Sequence, residues 1–355
     1  MRRRDILRGM GGAFCAAMLP FSAAAWRGNA HAQRAAAAGP RLASDAAMAA
    51  WRGRLESILA GKQLPIIDLQ ATYVSDRTDA AAHMKLMDRE GVAQTAFAPA
   101  KAPDGSPSLE LHRRHPAYFI PTTSSGEFPR WWKGPEKFVG VTARDLQSGN
   151  YVFMGEHEFR HYPSPEQAAE GRKDRDITVD ITGPAGQALF ALSAKTGVAF
   201  QIHYEIEDTL LPPLESMLER FPQAKVIWCH LGQVRYPQRA RKNGPAYVAG
   251  LIRRFPGLHF DLAVPKASHV YKPSGVRAST LFLASGELDP NWRAVIEESP
   301  QRFLSSSDYR PDVASKYSET IARQRQILAA LSEEARALVA YRNAWRLVTG
   351  TDWSA

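Results

Sequence analysis

Between residues 64 and 308 the chain alternates two patterns. Short, continuous apolar runs give way to segments in which apolar residues recur every three or four positions. Continuous runs suit strands buried on both faces, as in a parallel sheet, and the spaced pattern suits helices that cover such a sheet. The clearest unit runs from Ala199 to Gly232. An apolar run leads into His203, a segment carrying Leu210, Leu211, Leu214 and Leu218 predicts a helix, and Val226-Ile227-Trp228-Cys229 leads into His230. Two histidines therefore fall at the carboxyl ends of consecutive strands, the edge where ligands collect in α/β sheets and barrels.

The same reading along the chain predicts strands over 64–70, 92–98, 117–122, 151–158, 258–264 and 302–308, with helices over 49–61, 80–90, 109–115 and 185–196 and a mostly helical end over 315–348. Residues 33–48 are Ala-rich and predict disorder. Residues 126–149, rich in Pro, Gly, Trp and Lys, break the rhythm and predict a long inserted loop, and 161–176 predicts a charged loop. Eight strands alternating with helices point to a (β/α)8 TIM barrel, with that inserted loop and C-terminal helices, in a fold whose usual size is about 250 residues. An open doubly wound sheet is the alternative. No Gly-rich phosphate loop follows an early strand, which argues against its nucleotide-binding versions.

Charge and targeting divide the chain into 1–32, 33–62 and 63–355. Residues 1–32 hold five Arg and one Asp, a net +4 of the chain's formal +9, and leave +5 to the rest. That excess is spread out and forms no nucleic-acid patch. Arg3-Arg4-Asp5-Ile6-Leu7-Arg8 resembles a twin-arginine export signal, an Ala- and Gly-rich stretch follows, and Ala30-His31-Ala32 fits a cleavage site. This predicts a periplasmic mature chain from Gln33 with no membrane anchor after cleavage. The apolar stretch is interrupted by Pro20 and falls short of the roughly 20 residues that span a bilayer. The twin-arginine route carries folded proteins, often with a cofactor already inserted, which favours a bound metal. The other cysteine besides Cys15 is Cys229, in a buried strand, and reads as a small core residue.

Polar residues cluster at the predicted strand ends: Asp68, Gln70 and Thr72 on the first, Glu156 and Glu158 on the fourth, His203, His230 and Asp308 on the fifth, sixth and eighth. Alternation puts Glu156 and Glu158 on one face and turns His157 away. Carboxylates and imidazoles meeting at one barrel mouth are the ingredients of a hydrolytic metal site. Glu158 remains open as the ligand in place of Glu156. Arg130-Trp131-Trp132-Lys133 predicts an exposed lid over a small-molecule substrate, with the surface of the barrel as the alternative place for the tryptophans. Lys101, Arg144, Arg160 and His161 lie past strand ends, where they can meet a substrate carboxylate. Arg235, Arg239 and Arg241 read as a solvated face.

The order of these pieces resembles the amidohydrolase superfamily over roughly residues 64–349. The resemblance rests on Gly155-Glu156, the His203 strand, Cys229-His230-Leu231-Gly232, Ser305-Ser306-Ser307-Asp308 with Pro311, and Asn343-Ala344-Trp345-Arg346-Leu347. The family's first strand usually ends Asp-x-His-x-His; here Gln70 and Thr72 stand in the histidine places, so the metal position those histidines serve is expected to be empty. The resemblance, closest in arrangement to the N-acetylglucosamine-6-phosphate deacetylases, implies one divalent metal, zinc, on Glu156, His203 and His230. It implies Asp308 as general acid/base with His230 also at the catalytic centre. Gln70, Arg160, Trp131 and Trp132 are the expected substrate contacts. The implied activity is hydrolysis of an amide, ester or lactone; a metal-free barrel that only binds a ligand and a non-hydrolytic decarboxylase (a C–C lyase) of the same fold are the alternatives.

If the paired arginines direct export, replacing Arg3→Lys and Arg4→Lys together abolishes periplasmic accumulation of the mature chain, measured by cell fractionation; unchanged accumulation would disprove the signal.

Overall fold

A computed structural model describes residues 41–354; residues 1–32, where the sequence predicts an export signal, lie outside them. The strands are β1 (Ile66–Tyr73), β2 (Val92–Pro99), β3 (Phe119–Ile120), β4 (Phe153–His161), β5 (Ile177–Thr178), β6 (Ala199–Tyr204), β7 (Val226–Trp228), β8 (Leu258–Asp261), β9 (Val270–Tyr271), β10 (Val276–Arg277) and β11 (Phe303–Leu304). They form a parallel sheet β1-β2-β3, a six-stranded sheet β11-β8-β7-β6-β4-β5, and a small hairpin β9-β10. All pairs in the larger sheets are parallel except β4 with β5. A parallel bridge from Thr122 to Phe153 ties the chain after β3 to β4, and another from Ala71 to Tyr309 ties β1 to the chain after β11. The fold is therefore α/β, with its sheets joined along two seams.

The helices are α1 (Asp45–Ala60), α2 (Ala80–Glu90), α3 (Ser106–Arg114), α4 (Pro135–Gln147), α5 (Pro165–Ala169), α6 (Pro184–Thr196), α7 (Leu211–Arg220), α8 (Pro245–Arg254), α9 (Pro290–Glu298), α10 (Tyr317–Ala329), α11 (Glu333–Ala337) and α12 (Asn343–Thr349). Their limits follow local chemistry. Ser44 and Asp79 cap α1 and α2 by accepting from Ala47 N and Ala82 N, and Gly91 and Gly197 close α2 and α6 in the left-handed conformation. Among the described residues no helix is long and apolar enough to cross a membrane.

Two sequence expectations are corrected. The stretch 126–149 is not a loop: it holds a 3-10 turn at Trp131–Lys133 and then α4, the helical crossover from β3 to β4. Its prolines and glycines read as breakers, yet Pro135 sits in the first helical turn, where no amide is missed. Phe138, Thr142 and Leu146 form a buried stripe at helical spacing. Residues 45–48, expected to be disordered, belong to α1, whose Trp51 and Leu55 are buried in the main core.

The strand centres fill that core: Ile66, Ala93, Phe97, Phe119, Phe153, Phe200, Val226, Ile227, Leu258 and Phe303 are all fully buried. One close approach bears on the site. A Cβ at Gly155 in β4 would stand 2.5 Å from the Cβ of Ala98 in β2. The glycine lets the two strand ends converge immediately before Glu156. Gly155→Ala is expected to cost about 1–3 kcal/mol through overpacking, measured by urea denaturation. Adding Ala98→Gly should recover part of it, a coupling that unrelated sites would not show.

Candidate functional site

Glu156, His203 and His230 meet at one point. Glu156 is on β4, His203 near the end of β6, and His230 two residues past β7. One ligand atom from each lies within 4.8 Å of the others. Glu156 Oε1 is 2.8 Å from His203 Nδ1 and 3.2 Å from His230 Nε2. The far nitrogen of each imidazole is also engaged: His203 Nε2 lies 3.2 Å from Glu205 Oε1, and His230 Nδ1 lies 2.7 Å from the carbonyl of Ala263. A carbonyl accepts only, so His230 carries a proton on Nδ1 and turns the Nε2 lone pair inward. The Glu205 carboxylate sets His203 the same way. With those tautomers three acceptors face one another, an arrangement that needs a proton or a cation between them.

Two buried carboxyl groups shape this edge. His230 (φ 63°) and Asp308 (φ 52°) adopt left-handed backbone conformations, rare for residues other than glycine. Asp261 Oδ1 accepts from His230 N (2.8 Å) and Ala263 N (3.1 Å). Asp68 Oδ1 accepts from Gln70 N (3.1 Å) and Ser307 N (3.0 Å), its Oδ2 accepts from Ser307 Oγ, and Ser307 Oγ in turn accepts from Tyr309 N (3.1 Å). The two turns that present His230 and Asp308 are thus fastened from beneath. Asp68 was legible as a strand-end residue; Asp261 carried no sequence signal beyond lying in a predicted strand.

Electrostatics follow this geometry. Burial alone would raise the Glu156 carboxyl, but hydrogen bonds from His203 and His230 hold it well below the usual carboxylate range. Burial would lower the His230 imidazole, yet Glu156, with Asp308 and Asp261, raises it to about 10. His203 is raised by Glu156 and Glu205 against the same burial. Protons therefore compete for the place a cation would take. Asp308 is exposed to solvent although charged groups and protein atoms crowd its carboxyl. That surrounding protein raises its pKa, with Glu156 adding and His230 opposing. Its carboxylate accepts no hydrogen bond from a described residue.

The other expected residues divide. Gln70 is buried with Nε2 3.2 Å from His230 Nε2, while its Oε1 finds no described donor. Gln70, Thr72, Glu156, Glu158, Trp131 and Trp132 line a cavity of about 20 Å³. Trp131 is buried rather than exposed, packed on Phe138, His157 and Phe159, so it is a fixed wall and not a mobile lid. The apolar side of β4, with His157 among Trp131, Phe138 and Phe200, draws it inward. Glu158 is spoken for by Arg175. Arg160 is held by Glu207 (2.8 Å) and Asp176 (2.6 Å) and stacked on Tyr162. It lies inside β4, which runs farther than expected. Arg235, read as part of a solvated face, is largely buried and donates to Glu205 Oε1 at 2.6 Å. Arg310 and Arg175, which sequence reasoning missed, converge on Glu127 beside the cavity.

The amidohydrolase family model matches residues 67–349. No curated protein matches the chain. Among solved structures, 2,6-dihydroxybenzoate decarboxylase from Rhizobium is similar with a TM-score of 0.50 at 12% identity, over 81% of this chain and 99% of that one. An amidohydrolase from Bifidobacterium longum subsp. infantis gives a TM-score of 0.47 at 14% identity over 81% and 99%. At these identities the likeness is one of fold.

Burial pushes the Asp68 carboxyl up to about 7, against the hydrogen bonds from Ser307 and Gln70. Folded protein therefore binds this proton more tightly than unfolded chain. The resulting stability is complete below the ordinary carboxyl pKa of about 4 and is lost as pH rises through about 7. Asp68→Asn, which keeps the acceptor for Ser307 N and Gln70 N, should flatten the fall of stability between pH 4 and 7 by a few kcal/mol relative to the parent, as measured by denaturation at each pH. An identical pH profile would show that Asp68 is not the titrating group.

Proposed function

This chain belongs to the amidohydrolase family of enzymes, and we propose that within it the protein is a single-cation hydrolase of a small-molecule amide, ester or lactone. The observation that carries this is the convergence of Glu156 Oε1, His203 Nδ1 and His230 Nε2, with the opposite nitrogens taken by Glu205 and the Ala263 carbonyl. Two imidazoles and a carboxylate are a donor set that suits zinc, and three protein ligands with an open position are the catalytic form of such sites. The unpartnered Gln70 Oε1 beside His230 fits a polar occupant there as well. Glu156, His203 and His230 would hold a divalent cation, and the chemistry it would supply there is Lewis acidity toward a carbonyl and toward water, whose pKa such a cation lowers to about 7.

The chain's own groups account for the rest. Glu205 and Ala263 keep both imidazoles turned inward. Asp308, whose carboxylate is free and whose pKa is raised, takes a proton from the attacking water and returns it to the leaving group. The cavity of about 20 Å³ beside Gln70 and Glu156 has room for about one water, the co-substrate that hydrolysis needs. Trp131 and Trp132 wall that cavity from bulk solvent. We further propose that the eight parallel strands β1, β2, β3, β4, β6, β7, β8 and β11 close into a barrel, supported by the two seam bridges, and that the mature enzyme is periplasmic, supported by residues 1–32.

His203→Ala or His230→Ala should each lower bound metal at least tenfold by elemental analysis, since a three-ligand site has no spare donor. Asp308→Asn should keep the metal and lose about 10²–10⁴-fold in kcat, the usual worth of a positioned acid/base. Turnover in ¹⁸O water should place the label in the product acid. Release of CO₂ without label would assign a lyase instead, and metal-free protein with full stability changes but no turnover would leave a binding protein.

A further inference from the structure

Asp308 lines a second cavity, of about 270 Å³, whose walls include Gln233, Val264, Lys316, Thr320 and Arg323. The cavity beside Gln70 has room for about one water, whereas this second one has room for a small organic molecule beside Asp308. Its lining is unbalanced: two cations, Lys316 and Arg323, face one acid, Asp308. Lys316 is exposed, and no described carboxylate pairs with it. Arg323 is a built group. It is mostly buried, its Nε donates to the carbonyl of Val264 (2.9 Å) and its Nη2 to Thr320 Oγ1 (3.2 Å); its nearest acid, Glu319, is 4.0 Å from Nη1. Two bonds therefore set the plane of the guanidinium and leave one edge for a ligand. The side-chain amide of Gln233 has no described partner either.

The cations expected from sequence do not serve this role. Arg160 is consumed by Asp176 and Glu207, and Lys101 lies 3.8 Å from Asp76. Lys316 and Arg323 instead come from the segment after Asp308, Lys316 just before α10 and Arg323 in its middle.

We propose that this cavity selects an anionic substrate: an ester, amide or lactone that also carries a carboxylate, seated between Lys316 and Arg323. The Asp308 carboxylate repels that group and so orients the substrate, with the charged end toward α10 and the uncharged scissile carbonyl toward Asp308. The inference rests on the hydrolase reading for the reaction, while the anion seat itself stands on the cavity.

Calorimetry on the metal-loaded full chain with acetate, benzoate and glutarate, each against its primary amide, tests the seat. At least one carboxylate should bind about tenfold more tightly than its amide, the size of one charge-assisted hydrogen bond at a partly exposed site. Lys316→Met should remove that preference; it alters an exposed side chain and leaves the fold intact. Arg323→Lys, checked for an unchanged melting temperature, should weaken it. In kinetics, Lys316→Met should raise KM for mono-4-nitrophenyl glutarate about tenfold with kcat within twofold, and leave its neutral methyl diester unaffected. No carboxylate preference, or a preference indifferent to Lys316→Met, overturns the seat. Carboxylate binding that depends on Lys316 in a protein that hydrolyses neither ester upholds the seat and defeats the hydrolase reading. Equal hydrolysis of both esters by parent and variant does the reverse.

Discussion

Everything at the functional edge depends on two buried carboxyl groups that do no chemistry themselves. Asp261 takes the amide of His230, and Asp68 takes the amide and hydroxyl of Ser307. Each fastens a turn in which a non-glycine residue stands at positive φ. Such a conformation costs on the order of 1–3 kcal/mol, and a hydrogen bond contributes about 0.5–1.5 kcal/mol, so the two or more that each carboxyl accepts are enough to hold it. The strain is useful because a strand alternates its side chains between faces. A left-handed residue after the strand breaks that alternation, so His230 can aim at Glu156 instead of into the packed face of the sheet.

Around this edge, charge is matched in pairs. Glu205 is shared by His203 and Arg235, Glu158 is taken by Arg175, and Glu127 joins Arg175 to Arg310. A buried carboxylate without a partner is too costly to keep, so these pairs let several acids sit side by side. They also sort them. Of the four glutamates Glu127, Glu156, Glu158 and Glu205, Glu156 has no arginine pair among the described residues and faces two imidazoles, which leaves it able to serve a cation. In the open cavity at Asp308, two cations face one acid.

The strand-and-helix rhythm, the order of elements and the residues Glu156, His203 and His230 were legible because each depends on local pattern. Continuous apolar runs mark buried parallel strands wherever they occur, and a polar residue that ends such a run must lie at the sheet's edge. The family resemblance carried the ligand set further than spacing alone could. Where local signals conflicted, the reading failed: Pro135 and the glycines around α4 looked like breakers, and Trp131 beside arginine and lysine looked exposed. Packing against β4 overrode both.

By itself, the sequence determined the α/β class and the family and placed Glu156, His203 and His230 at strand ends, since these follow from periodicity, from residue type and from the family resemblance. Only the tertiary structure decided which acids are consumed by arginines, which nitrogen of each imidazole faces inward, and that Asp261 and Arg235 lie beside Glu156, His203 and His230 while Lys316 and Arg323 share a cavity with Asp308. Those outcomes turn on contacts between residues far apart in the chain. Whether a charged group is a ligand, a strut or a solvated surface residue depends on the partner it meets and the water it loses, and neither is written in its neighbours along the sequence.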